Sequence, residues 1–117
     1  MRVGTDIVKI SRIEKSIKSE AFLNRVFSQR ERELILKKGA DTAAANFAAK
    51  EAFGKALGSG VRGFSLSEVE ILREESGAPY ILLSGDAERL AEGLTFSVSL
   101  SHEKEYAIAF LIAEEKK

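Results

Sequence analysis

The sequence contains no cysteine, which removes disulfide frameworks, thiolate metal sites and cysteine nucleophiles together. Any metal must therefore sit on oxygen ligands or on the single histidine, His102. No apolar run approaches the roughly 20 residues needed to span a bilayer, and the start Met1-Arg2-Val3-Gly4-Thr5-Asp6 lacks the apolar core of a secretory signal. A cytoplasmic location is the expectation. Net charge is absent as well. Eighteen basic residues balance eighteen acidic ones, so the strongly basic footprint of a general nucleic-acid binder is missing. No linker, repeat or low-complexity tract interrupts the chain.

What is present suits one compact domain spanning residues 1–117, since 117 residues at 44% hydrophobic content supply a single core. The charge is unevenly spread. Residues 1–38 carry ten basic and five acidic side chains, whereas residues 39–117 carry eight and thirteen. A basic amino-terminal third is either a patch for an acidic partner or a set of solvated helix faces.

Val3 to Ile10 reads as a strand interrupted by Gly4 and Asp6. Ser11 with Glu14, and Ser28 with Glu31, fit the capping box that opens a helix; the second of these helices should stop at Gly39. The longest helix is expected from Asp41, as N-cap, to Leu57, closed by Gly58, with alanines grouped on one broad side for close packing. Val69 to Ile71 and Tyr80 to Leu83 read as strands of a hairpin around Ser76-Gly77. Asp86 to Glu92 is a short helix ended by Gly93. Phe96, Val98 and Leu100 alternate with polar residues, and Tyr106 to Ala113 is a final apolar strand. The class is α+β, a long alanine-rich helix packed on an antiparallel sheet, with strand order open.

Several residues carry possible chemistry. Asp6 stands in an apolar strand, where a carboxylate needs a cation or hydrogen-bond donors; an ordinary pairing with a nearby basic residue is the alternative. Glu51 points from a partly apolar helix face, yet Lys55 is four residues on and a surface ion pair would explain both. Two carboxylates from different elements, without histidine or thiolate beside them, suit a hard cation such as Mg²⁺ that also binds substrate phosphates. Lys50 and Lys55 are candidates for neutralising such phosphates. The glycines from Gly58 follow a helix C-terminus, where the dipole has the wrong sign for an anion. His102 lies near a turn, either reaching an anionic ligand or simply exposed.

Three segments together, Gly4-Thr5-Asp6-Ile7, Phe47-Ala48-Ala49-Lys50-Glu51-Ala52-Phe53-Gly54-Lys55-Ala56-Leu57-Gly58 and Ser99-Leu100-Ser101-His102, resemble the holo-acyl-carrier-protein synthases of the phosphopantetheinyl transferase superfamily across nearly the whole chain. The resemblance implies transfer of 4′-phosphopantetheine from coenzyme A to a serine of an apo-acyl carrier protein, a step serving fatty acid biosynthesis. It implies that Asp6 and Glu51 hold Mg²⁺ and, with Lys55 at the pyrophosphate, form the catalytic set. It implies that Lys50, Gly58, Ser101 and His102 line the site of the adenosine bisphosphate portion, and that Arg12 engages the acidic carrier. A homotrimer with active sites at subunit boundaries is also implied, one subunit supplying both the aspartate strand and the glutamate helix.

Two positions depart from the family pattern: Asn46 stands where arginine is usual, and Ala78 where the hairpin usually carries lysine. Both changes remove positive charge, and their expected consequence is weaker binding of the coenzyme A phosphates. A homologue that binds coenzyme A or carrier protein without catalysis is the second reading, and an unrelated oligomeric α+β module the third.

Overall fold

In the computed structural model, which describes residues 1–117, the two ends of the chain are stitched into one sheet. Strand β1 (Arg2–Lys9) pairs antiparallel with β5 (Tyr106–Glu115), and β5 pairs antiparallel with β4 (Leu94–His102), giving the order β1-β5-β4. Alternation along β1 turns Gly4, Asp6 and Val8 inward and leaves Val3, Thr5 and Ile7 exposed. The facing positions of β5 are the buried Ala107, Ala109, Leu111 and Ala113. Small side chains there let a helix approach closely.

That helix is α4 (Ala40–Leu57), whose buried residues include Ala43, Ala44, Ala45, Ala48, Ala49, Ala52 and Ala56. Contact with β1 is tightest at Gly4, where a Cβ would collide with the Ala52 carbonyl and crowd the Ala56 amide. Burial extends beyond the alanine side of α4, since Phe53 and Asn46 are buried as well. The sheet covers one side of α4, and α1 (Ile10–Ser16), α3 (Gln29–Lys38) and the strand β2 (Val69–Arg73) contact others.

The Ser28–Glu31 capping box forms: Glu31 N–H donates to Ser28 Oγ at 3.2 Å, and Ser28 N–H donates to Glu31 Oε1 at 3.1 Å. Gly39 ends α3 as expected and also serves as the N-cap of α4, so Asp41 falls in the first turn rather than at the cap. The Ser11–Glu14 box does not form. The Ile10 amide still donates to Glu105 O at 2.8 Å, so α1 begins directly from the sheet with Lys9 at its N-cap. A further helix, α2 (Glu20–Val26), capped by Ser19, lies between α1 and α3.

Strands β2 and β3 (Pro79–Leu83) form the expected hairpin, and Gly77 takes the positive φ of 93° that its turn requires. Helix α5 (Gly85–Leu90) follows. The core joins Phe27, Phe53, Ile71 and Leu111, each shielded from solvent and each contributing about 1.5–3 kcal/mol by burial. No helix is long and apolar enough to cross a membrane.

Candidate active site

Asp6 sits in the middle of β1, opposite Ala109, on the face that meets α4. Its side chain is 17% exposed. From α4, Lys55 Nζ donates to Asp6 Oδ1 at 3.1 Å and to Thr5 O at 3.0 Å. Lys55 therefore pairs across to the strand, and the Glu51–Lys55 surface pair is not the interaction formed. The ordinary ion-pair reading of Asp6 is thus realised with Lys55, beside a second carboxylate that it does not neutralise.

That carboxylate is Glu51. Burial pushes its carboxyl above the usual glutamate value and the negative charge of Asp6 adds to the rise, while Lys55 and Arg12 oppose it. Two acidic groups from different elements are thus held close enough for the charge of Asp6 to disfavour that of Glu51. A divalent cation would reverse this, and the donor set fits Mg²⁺, which is commonly bound by one or two carboxylates together with substrate phosphates and waters. No third acidic or histidine side chain joins them.

His102 ends β4 on the same inner face. It lies in the row His102, Ala107, Val8, next to the row Leu100, Ala109, Asp6. Two strand spacings and two residues separate it from Asp6, about 12 Å. Its Nδ1 is 3.9 Å from Asp41 Oδ2. Ser101 faces the other way, in the row Ser101, Ile108, Ile7, away from Asp6, and meets His102 only at the end of the strand, where both line a small pocket with Ile7 and Tyr106. Gly58 closes α4 with φ 82°, and its amide is already engaged with Lys55 O at 3.1 Å. Arg12 is exposed on α1, its guanidinium 5.7 Å from the centre of the Phe47 ring.

Residues 2–111 match the family model of the 4′-phosphopantetheinyl transferase superfamily. The chain belongs to that superfamily. Among curated relatives, a holo-[acyl-carrier-protein] synthase of Clostridium botulinum is 47% identical, covering 96% of this chain and 95% of its own. One from Fusobacterium nucleatum is 42% identical over 94% and 95%. The solved structure of the Helicobacter pylori holo-[acyl-carrier-protein] synthase in complex with coenzyme A superposes with a TM-score of 0.85 at 35% identity, over 96% of this chain and 99% of that one.

For a member of this superfamily, the placement of Lys50 corrects the sequence expectation. Lys50 is wholly buried, and its Nζ donates to Glu31 Oε1 at 2.7 Å, to Leu66 O at 2.9 Å and to Val69 O. An ammonium has three donors, and all three are committed within the fold. The side chain ties α4 to α3 and β2. Burial pulls Lys50 down and pushes Glu31 up, each opposed by the other's charge. Residues 50 and 51 differ by about 100° around the helix, enough to send one inward and the other toward the carboxylate pair.

Asn46, one turn before Lys50, is buried in the same network. Its Nδ2 donates to Glu31 Oε2 at 3.0 Å and to Ile71 O at 2.9 Å, and its Oδ1 accepts from Arg73 Nη2 at 2.8 Å. The guanidinium at this place in the fold thus comes from the end of β2. Sequence reasoning missed Arg73 and gave Glu31 only a capping role. The available signal was Asn46 and Lys50, two polar residues at i,i+4 among the alanines of α4.

Proposed function

We propose that the chain transfers the 4′-phosphopantetheine of coenzyme A to a serine hydroxyl of an apo-acyl carrier protein and releases adenosine 3′,5′-bisphosphate. The observation that carries this reading is the convergence of Asp6, Glu51 and Lys55 within the motifs that the chain shares with its superfamily. The relatives bear the name of that activity, and the Helicobacter pylori protein binds coenzyme A.

In the transfer, the serine oxygen bonds to the β-phosphorus and the bridging P–O bond breaks, its electron pair remaining on the departing 5′-phosphate. Glu51, directly or through an intervening water, accepts the serine proton. Lys55 places positive charge at the pyrophosphate, and Asp6 orients it through the 3.1 Å contact. Asp6 and Glu51 are the residues that would hold Mg²⁺, which supplies charge neutralisation at the pyrophosphate when bound. Gly58 and His102 border the adenosine bisphosphate portion, and Arg12 on the rim steers the acidic carrier protein.

The proposal includes a homotrimer. Its support is the outer face of the sheet, where Val3, Ile7, Ile108 and Phe110 are all exposed. Apolar side chains on one face of this kind mark a surface that another chain covers. Ser101 lies on that face, in position to serve a site shared with a neighbour. A cytoplasmic location, where carrier protein and coenzyme A are both available, belongs to the same reading.

The test incubates the protein with apo carrier protein, coenzyme A and Mg²⁺ and follows the carrier by mass spectrometry. The phosphopantetheine mass appears with the parent protein and is lost with Asp6→Asn and with Glu51→Gln, while Arg12→Glu raises the KM for carrier alone. Absence of the mass addition with several carriers would favour a binding homologue, and full activity of either carboxylate variant at low Mg²⁺ would remove the assigned pair.

A further inference from the structure

Two lysines of α4 hold carboxylates in opposite ways. Lys50 gives its donors to Glu31, Leu66 O and Val69 O inside the fold, and its side chain has no exposed surface. Lys55 donates to Asp6 Oδ1 at 3.1 Å and to Thr5 O at 3.0 Å, and its side chain is 56% exposed. An ammonium has a third donor, which here is left for solvent or a ligand. An ion pair with so exposed a member contributes little to stability, so Lys55 can release Asp6 without disturbing the core. Thr5 is fixed in the pairing of β1 with β5, and its carbonyl keeps a foothold for Lys55 when the carboxylate is taken.

The charges at the carboxylate pair are already balanced. Asp6 and Glu51 supply two negative charges, and the cations that bear on Glu51 are Lys55 and Arg12. Arg12 has its own support, the Phe47 ring at 5.7 Å from its guanidinium. Lys55 instead stands on an oxygen of Asp6 itself. It is the counter-ion that the fold supplies to that carboxylate. A divalent cation bound to Asp6 would adjoin this ammonium, and like charges so close repel. The contact that orients Lys55 is thus the one that a metal on Asp6 must weaken.

We infer that Lys55 competes with the metal for Asp6, so that it sets the metal affinity of the protein free of co-substrate and yields the carboxylate as the metal enters. The inference rests on the proposed metal role of Asp6 and Glu51. Its consequence is coupling between ligands. An anionic co-substrate that draws the ammonium away from Asp6 tightens the metal, and by linkage the metal tightens the co-substrate equally.

Titration with Mn²⁺ alone, the free ion counted by electron spin resonance, tests this without turnover. Lys55→Met keeps the length of the side chain and removes its charge at an exposed place, so the fold is retained. It should bind Mn²⁺ roughly three- to tenfold more tightly than the parent. Lys55→Arg should stay near the parent, because it returns a cation to Asp6, and adding Asp6→Asn to Lys55→Met should erase the gain. Saturating coenzyme A should tighten Mn²⁺ less in Lys55→Met than in the parent, since no ammonium is left to displace. No gain in Lys55→Met, or weaker binding there, would overturn the inference, and the metal reading would still stand if Mn²⁺ binding required Asp6. Mn²⁺ binding indifferent to Asp6→Asn in both the parent and Lys55→Met would sink the metal reading and this inference together.

Discussion

Replacing Lys50 by methionine separates a structural role for this lysine from a ligand-binding one. The change keeps much of the side-chain volume and removes the ammonium that touches Glu31, Leu66 O and Val69 O. Glu31 keeps three donors, from Ser28 N, Asn46 Nδ2 and Ile71 N, but loses its counter-charge in a fully buried place. Removing one member of a buried ion pair costs about 3–5 kcal/mol. For 117 residues at roughly 2.1 cal/mol/K each, the unfolding entropy is about 0.25 kcal/mol/K, so the midpoint should fall by about 12–20 °C.

Thermal unfolding followed by circular dichroism measures the shift, and calorimetry on the folded fraction measures coenzyme A binding. Combining Lys50→Met with Glu31→Gln should cost less than the sum of the two single changes, because the second removes the stranded charge and retains an acceptor. A Lys50→Met protein that melts within a few degrees of the parent and binds coenzyme A much more weakly would refute this reasoning and return Lys50 to the ligand side.

Gly4→Ala should lower stability by about 1–3 kcal/mol, near 4–12 °C in the midpoint, because the new Cβ strikes backbone rather than an adaptable side chain. It should also abolish transfer by moving Asp6 away from α4, and normal activity with normal stability would show that β1 and α4 need not approach so closely. Phe110→Glu places a charge in the middle of the exposed apolar face and should reduce the solution mass from trimer toward monomer in sedimentation. An unchanged mass would remove that face as the interface.

The elements legible in the sequence are those fixed by neighbours along the chain. Ser28 and Glu31 cap a helix within one turn, Gly58 ends α4 with its own positive φ, and Gly77 makes a turn between strands that are adjacent in sequence. The pairing of β1 with β5 joins residues such as Arg2 and Ala113, and nothing local in either segment names the other. Ser11 shows the same limit from the opposite side. Its motif is correct for a helix start, but the Ile10 amide is taken by Glu105 from the far end of the chain, and the start moves.

The site obeys the same division. The approach of Asp6 to Lys55, which Gly4 permits, was legible only through the shared motifs, since the spacing of Glu51 and Lys55 left a surface ion pair open. Lys50 was not, because an α4 buried on several sides gives each stripe of the helix a different neighbour. The stripe of Asn46 and Lys50 meets Glu31, which does two tasks with its two oxygens. Oε1 accepts from the Ser28 amide and from Lys50, while Oε2 accepts from Asn46 and the Ile71 amide. A capping residue read as local is therefore also the counter-ion of a helix nineteen residues on. Since Lys50 spends its charge there, the guanidinium that stands beside position 46 is that of Arg73, whose Nη2 donates to Asn46 Oδ1.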